Sequence, residues 1–274
     1  MIAFQVAHAA WAKGRPAHLD KMLSSLPFRI NVVKSIKKEH ASVWARRLWE
    51  TCKVLDEAES APDWNVCLND DVDVCPSKPV WEAALGAAKG DIVSLHTSCT
   101  ESTDHPWVRC YWMTGPGYAL RRGVAAKLLA FYDSLPAIWQ TAEGNNEDLV
   151  GILYAWSKQE PIWSTVPALV QHRTEIESTL GYDGHRLRES PVPWTSKPLP
   201  ASWAVTSQPP VIENPWMPSA QLDVMWRAIK VGHLCSFCCR NVAFAASKVS
   251  EGRVCEDCLR GLSIHYIQNS AARR

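Results

Sequence analysis

The chain has 274 residues, 29 Lys/Arg against 28 Asp/Glu, and a formal net charge of +1. That length suits one core of roughly 200 residues with a small appendage, on the usual ~100–200 residues per domain, and the near balance of charge gives no global reason to expect a polyanion partner. No apolar run approaches the ~18 residues of a membrane span, and Met1–His8 is no basic leader before an apolar stretch, so a cytoplasmic protein without a membrane partner is expected.

Residues 2–8 form a β-prone run, followed by Leu19, Met22, Leu23 and Leu26 at helical spacing. Arg29–Val33 reads as a second strand, and Val43, Leu48, Cys52 and Leu55 give a helix over about Ser42–Leu55 its apolar face. Trp64–Leu68 is a third strand and runs into Asn69-Asp70-Asp71-Val72-Asp73; helix is then expected at Val80–Ala88 and strand at Asp91–Leu95. Trp112–Leu120 is a strand region broken by Gly115-Pro116-Gly117, and a helix follows from Arg122 to about Tyr132. Asn146 is placed to cap a helix over Leu149–Ser157, with Glu147 and Asp148 favoured near its positive end, and Pro161–Val170 is the last strand. Strands alternating with helices predict an α/β domain with a mainly parallel sheet and flanking helices.

Between Pro191 and Pro218 there are eight prolines, with Trp194, Trp203 and Trp216 among them. Proline blocks regular structure while the indoles argue against a solvated linker, so a strap lying across the main domain is expected. The division is then 1–190 for the main domain, 191–220 for the strap and 221–274 for a C-terminal module, opening with a helix near Gln221–Lys230.

Ligands in α/β sheets gather at the C-terminal ends of strands, where Asp70 and Asp71 fall. Closely spaced carboxylates suit a hard divalent cation, Mn²⁺ or Mg²⁺, which takes one or two protein carboxylates and leaves other positions to phosphate and water. In extended backbone Asp71 and Asp73 point to one side and Asp70 to the other. Read alone, the cluster is as well explained by a solvated acidic turn, Glu147 and Asp148 by the helix dipole, and His172 by a structural role.

The order of parts resembles the nucleotide-sugar glycosyltransferases of the GT-A fold, a Rossmann-like class, over about residues 1–190. The segment Val66-Cys-Leu-Asn-Asp-Asp-Val72 resembles the DxD segment of that family, with Asn69 in place of the first acid. The run Pro167-Ala-Leu-Val-Gln-His172, followed by Ser178-Thr-Leu-Gly181, is most similar to bacteriophage-type members. The resemblance implies a nucleotide-diphosphate sugar as substrate, Asp71 as ligand to Mn²⁺ or Mg²⁺ with Asp73 in reserve, and His172 on the metal or diphosphate. It implies that Asp70 contacts the donor ribose or the metal through water. Donor-binding positions are Ala7, His8, Ala9 and Arg15 at the end of the first strand, with Arg47, and Arg173 offers a fork suited to phosphate. Inverting members activate the acceptor hydroxyl with a carboxylate, which maps to Asp148, with Glu147 as alternate. A bacteriophage-type enzyme would suit DNA carrying 5-hydroxymethylpyrimidines as acceptor, acting in the host cytoplasm. Two other readings stay open: a non-catalytic zinc-dependent adaptor for nucleic acid or protein, and a nucleotidyltransferase.

Cys235, Cys238, Cys255 and Cys258 form two CxxC pairs with sixteen residues between them, a spacing suited to one structural, tetrahedral Zn²⁺. Cys239, His233 and His265 could compete as ligands. The segment resembles the small zinc module of the ClpX unfoldase, which implies protein recruitment and a homodimer through the module. From Arg227 to Arg274 the chain carries a net charge of +5, modest support for nucleic-acid contact. The other five cysteines, Cys52, Cys67, Cys75, Cys99 and Cys110, have no paired spacing and are expected as reduced core thiols.

Overall fold

The computed structural model describes residues 1–35, 41–102, 104–135, 147–173, 175–176, 189–214, 218–231, 245–246 and 253–254. In chain order the strands are β1 (Ile2–His8), β2 (Ile30–Lys34), β3 (Trp64–Asn69), β4 (Val72–Val74), β5 (Ile92–Ser94), β6 (Trp107–Cys110), β7 (Gly117–Arg121), β8 (Ile162–Thr165), β9 (Val170–His172), β10 (Ala245–Ala246) and β11 (Arg253–Val254). The helices are α1 (Arg15–Ser25), α2 (Ala41–Asp56), α3 (Lys78–Ala87), α4 (Val124–Ser134), α5 (Glu147–Lys158) and α6 (Ser219–Val231).

Seven strands form one sheet in the order β2-β1-β3-β7-β5-β8-β6. β1 runs parallel to β2 and β3, and β5 parallel to β8, while β7 and β6 run antiparallel to their neighbours. Five of the seven strands therefore point one way, giving the mixed, mainly parallel sheet with flanking helices expected from the sequence.

Side-chain alternation with period two gives the sheet two apolar faces. Cys67, Tyr118, Leu120 and Ile162 pack with Trp49 of α2, Leu128 of α4, Leu153 of α5 and Met225 of α6. Phe4, Val66, Leu68 and Ala119 pack on the other side with Met22 of α1 and Trp81 and Leu85 of α3. Both faces being covered, β1 reads as a near-continuous buried run rather than an alternating one. The indole of Trp49 donates to Tyr118 Oη at 3.0 Å, both residues fully buried, which fixes α2 against the middle of the sheet. No described helix is long and apolar enough to cross a membrane.

Two sequence expectations differ from the structure. The expected strand Pro161–Val170 is two strands, β8 in the large sheet and β9 paired antiparallel with β4, because the segment between them contains Pro167, after a cis peptide at Val166–Pro167. Proline has no N–H to give to a ladder. The expected Trp112–Leu120 strand begins only at Gly117, after the Gly115-Pro116-Gly117 turn, and is preceded by β6, which was not anticipated. The five cysteines outside the C-terminal module are free thiols, four of them buried, as expected; four of the five lie in contacting pairs, Cys52 with Cys67 at 3.6 Å and Cys99 with Cys110 at 3.3 Å between sulfurs.

The proline-rich segment lies along β6, the edge strand of the sheet. Arg109 N–H donates to the Pro210 carbonyl at 2.9 Å and its own carbonyl accepts from Ile212 N–H at 2.8 Å. Trp107 N–H of the indole reaches the Trp203 carbonyl at 3.0 Å, and the two rings meet edge to face with centroids 5.4 Å apart. Farther back, Ala168 exchanges hydrogen bonds with Val192 and Trp194 at 2.8 and 3.0 Å.

Candidate functional site

The site grows from the ends of β1 and β3. The two strands are in parallel register, with Ala7 opposite Asn69, so the residues leaving β1 and those leaving β3 meet on one side of the sheet. Asp70 and Asp71 form a turn, and β4 then departs to pair with β9, Val72 opposite His172. That pairing brings the end of β9 back over the turn, where Arg173 N–H donates to the Asp71 carbonyl at 2.8 Å.

The turn also corrects the expected facing of the acids. Extended backbone would set Asp70 opposite Asp71, but the turn aims both at one guanidinium. Arg15, the first residue of α1, gives Nη1 to Asp70 Oδ1 and Nη2 to Asp71 Oδ2, the latter at 2.6 Å. The second oxygen of Asp70 receives Ala9 N–H at 2.8 Å and lies 2.6 Å from His8 Nδ1. Asp71 Oδ2 is also 2.8 Å from His172 Nε2. Asp70, Asp71 and Arg15 are 0, 2 and 3% exposed, so these are buried ion pairs. Removing one partner from such a pair costs about 3–5 kcal/mol, since the charge left behind stays dehydrated.

Around this buried centre lies a more accessible rim. Arg173 reaches Asp73 Oδ1 at 3.2 Å and also pairs with Glu175. The Arg173 guanidinium holds the Glu175 carboxyl below the usual carboxylate range. His172 presents a small exposed surface, and the loop from β1 to α1 carries the exposed Trp11. Gly14 ends that loop with φ of 80°, a left-handed conformation that glycine adopts without strain.

The structure thus gathers Ala7, His8, Ala9, Arg15, Asp70, Asp71, Asp73, His172 and Arg173 at one place. Arg47 donates to the Lys34 carbonyl at 2.9 Å, at the end of β2 that lies in register with His8. Asp148 is half-buried in the first turn of α5. Because α5 runs back to the start of β8, its first turn lies at the same end of the sheet as the β3–β4 turn. The Glu147 side chain, Asn146 and Ser178–Gly181 lie outside the described residues, as do Cys235, Cys238, Cys239, Cys255, Cys258, His233 and His265. Between the two cysteine pairs the described residues are a short antiparallel hairpin, Ala245 opposite Val254 and Ala246 opposite Arg253.

No family model matches the chain, and no curated protein matches it by sequence. Solved structures do. One is A197 from STIV, at 9% identity and a TM-score of 0.38, covering 62% of this chain and 83% of that one. Another is a glycosyltransferase involved in glycosylation of the major capsid protein of PBCV-1, at 13% identity and a TM-score of 0.34, covering 53% of this chain and 72% of the other. Likenesses of this degree carry no function across, and the functional reading rests on the site.

Three residues of the neighbourhood were not singled out from the sequence. His18 of α1 lies with Nε2 2.8 Å from the Val72 carbonyl and ties the helix to β4. His96 is fully buried beyond β5, with Thr114 Oγ1 donating to its carbonyl at 3.0 Å. Trp11 had a usable signal, an aromatic residue just past a strand end, whereas the two histidines carry none that separates them from core residues. The Gly115-Pro116-Gly117 turn abuts the acidic segment, its Pro116 carbonyl accepting from Asn69 N–H at 3.2 Å.

The expected Mn²⁺ or Mg²⁺ can be tested against these contacts. The donor types suit such an ion, but both oxygens of Asp70 and Oδ2 of Asp71 are engaged by Arg15, His8, Ala9 and His172. Among the described residues no group of three or more His, Cys, Asp or Glu side chains is arranged to hold a metal ion. The residues as placed do not fit a divalent cation at the carboxylate pair.

Proposed function

We propose that the chain transfers a sugar from a nucleotide-diphosphate donor to an acceptor hydroxyl at the pole formed by β1, the β3–β4 turn and β9. The observation that carries this reading is the convergence on one turn of His8 from the end of β1, Arg15 from the start of α1, Asp70 and Asp71 from the end of β3, and His172 and Arg173 from the end of β9. Strand ends are where α/β sheets hold nucleotides.

In this reading the donor diphosphate lies over the rim. Arg173 and His172 meet the charge that develops on it as the glycosidic bond breaks, a preorganised electrostatic role. Trp11 offers its face to the nucleobase. The uncapped N-terminus of α1 adds peptide dipoles of the favourable sign for phosphate. Asp148, with Glu147 as alternate, takes the acceptor proton in an inverting displacement. Hydroxymethylated DNA is the proposed acceptor, reached with help from the basic C-terminal module.

A competing reading is a non-catalytic adaptor, favoured by one observation: the carboxylates and Arg15 are almost wholly buried and neutralise one another, as in a structural ion-pair network. One experiment separates the two. The protein is incubated with a panel of UDP-, GDP- and other nucleotide sugars, with and without DNA containing 5-hydroxymethylcytosine or 5-hydroxymethyluracil, and products are identified by mass spectrometry. Sugar on the DNA, with Arg173→Ala slower by about 10²–10³-fold, is the expected outcome. Release of nucleoside diphosphate without a DNA product keeps the transferase and removes the acceptor; no turnover of any donor favours the adaptor.

A further inference from the structure

A divalent cation shared by Asp70 and Asp71 needs carboxylate oxygens at about 2.0–2.2 Å. The oxygens that face each other across the turn are Asp70 Oδ1 and Asp71 Oδ2, and the two Nη atoms of Arg15 are hydrogen-bonded to both. The guanidinium cannot coexist with a metal there, since both are cations seeking the same lone pairs in a site sheltered from water. Nor is Arg15 a loosely held surface group that a metal could easily displace. It is 3% exposed and starts α1 directly after Gly14. Asn69 stands where the DxD pattern has an acid, which leaves two carboxylates facing a two-pronged donor, a geometry that guanidinium matches and ammonium does not.

We infer that Asp70 and Asp71 are the seat of Arg15 and not of a divalent cation, and that the site meets a phosphate-bearing ligand with fixed protein cations. The statement about the ligand rests on the proposed function; the statement about the seat does not. Arg15 is on this account a positioning residue. It holds the β3–β4 turn in the shape that places His172 and Arg173 at the rim.

The probe is Mn²⁺ alone, titrated against the full chain and followed by the paramagnetic resonance signal of unbound Mn²⁺. Wild type and Asp71→Asn are expected to give the same curve up to about 1 mM, because Asp71 is not a ligand. Arg15→Met, which vacates the seat while keeping most of the volume, is expected to bind Mn²⁺ at least about tenfold more tightly than wild type. Wild-type binding that Asp71→Asn abolishes would overturn the inference, as would an Arg15→Met protein that folds and binds no better than wild type. If Arg15→Met does not fold, the comparison of wild type with Asp71→Asn decides by itself.

Transfer activity distinguishes this inference from the functional reading on which part of it rests. Sugar transfer that persists in metal-free buffer supports both. Transfer that requires Mn²⁺ and disappears in Asp71→Asn overturns the inference and keeps the function. A protein with no transfer and no Asp71-dependent Mn²⁺ binding keeps the seat and loses the function.

Discussion

The sulfur of Cys99 differs from the other thiols because of one neighbour. Cys110, fully buried on β6, donates its thiol hydrogen toward Cys99 at 3.3 Å. That hydrogen bond stabilises the Cys99 thiolate and lowers its pKa, against the opposing effect of burial, while the same contact and burial push Cys110 well up. Cys52, buried against Cys67, is likewise pushed well up. At pH 7 and moderate iodoacetamide, mass spectrometry of tryptic peptides should find Cys99 modified first among the five cysteines outside the C-terminal module, since the thiolate is the nucleophile. Its alkylation should fall away at lower pH than that of Cys52 or Cys110. Equal rates for Cys99 and Cys52 would contradict the paired geometry. Nothing in the spacing of these cysteines announces the pairs: Cys99, in the segment after β5, meets Cys110 of β6 only through the tertiary fold. Arg15 shows the same limit. Its place after β1 marked it as a donor-site residue, but its grip on both carboxylates depends on a turn at Asp70-Asp71 where alternation in extended backbone was assumed.

Among the elements, β7 packs closely against β9, the strand that carries His172. A Cβ on Gly117 would sit 2.9 Å from Val170 Cγ2, and Val170 is fully buried at the start of the strand that ends in His172. A valine methyl has no long flexible end to swing aside, so β9 itself would have to move. Gly117→Ala should therefore cost about 1–3 kcal/mol of stability, the usual penalty for overpacking, measured by urea denaturation. An unchanged midpoint would mean that β9 gives way freely. Why glycine stands there was not evident from the sequence, where Gly115-Pro116-Gly117 looked like a turn and nothing more. The first three strands and the helices after α1 were legible to within a residue or two, because each carries its own period of apolar residues, whereas α1 begins three residues before the His18–Leu26 run that marked it. β4, β6 and β9 are three or four residues long, too short for a period to register, and exist through partners distant in the chain.

At the scale of the whole molecule, the sequence conveyed the mainly parallel sheet and the closeness of the strap to the main domain. The C-terminal module is the part whose organisation rests most on the sequence. The hairpin of β10 and β11 ends at Val254, directly before Cys255 in the sequence, and a zinc ion held by the two CxxC pairs is proposed there. Metal analysis of the purified full chain should find about one zinc per chain, and Cys255→Ser should lose it together with the fold of the module, since binding and folding of so small a unit are one event. Full zinc occupancy in the Cys255→Ser variant would move the ligand set to Cys239 or a histidine.

The seven-stranded sheet has two margins, and the chain treats them differently. Along β6 the ladder is continued by Pro210–Ile212, while among the described strands none pairs with the outer side of β2, where Val32 and Lys34 face water. The segment beyond residue 190 adds no strand to the seven-stranded sheet but packs on it, Trp203 against Trp107 of β6 and Met225 of α6 within the core around Tyr118, so a chain cut there would keep every strand of that sheet. It would nevertheless have raw backbone on both flanks, and unpaired strand margins recruit other chains. The strap thus occupies one margin of the sheet, so that β6 does not present its outer backbone groups at Arg109 to other chains.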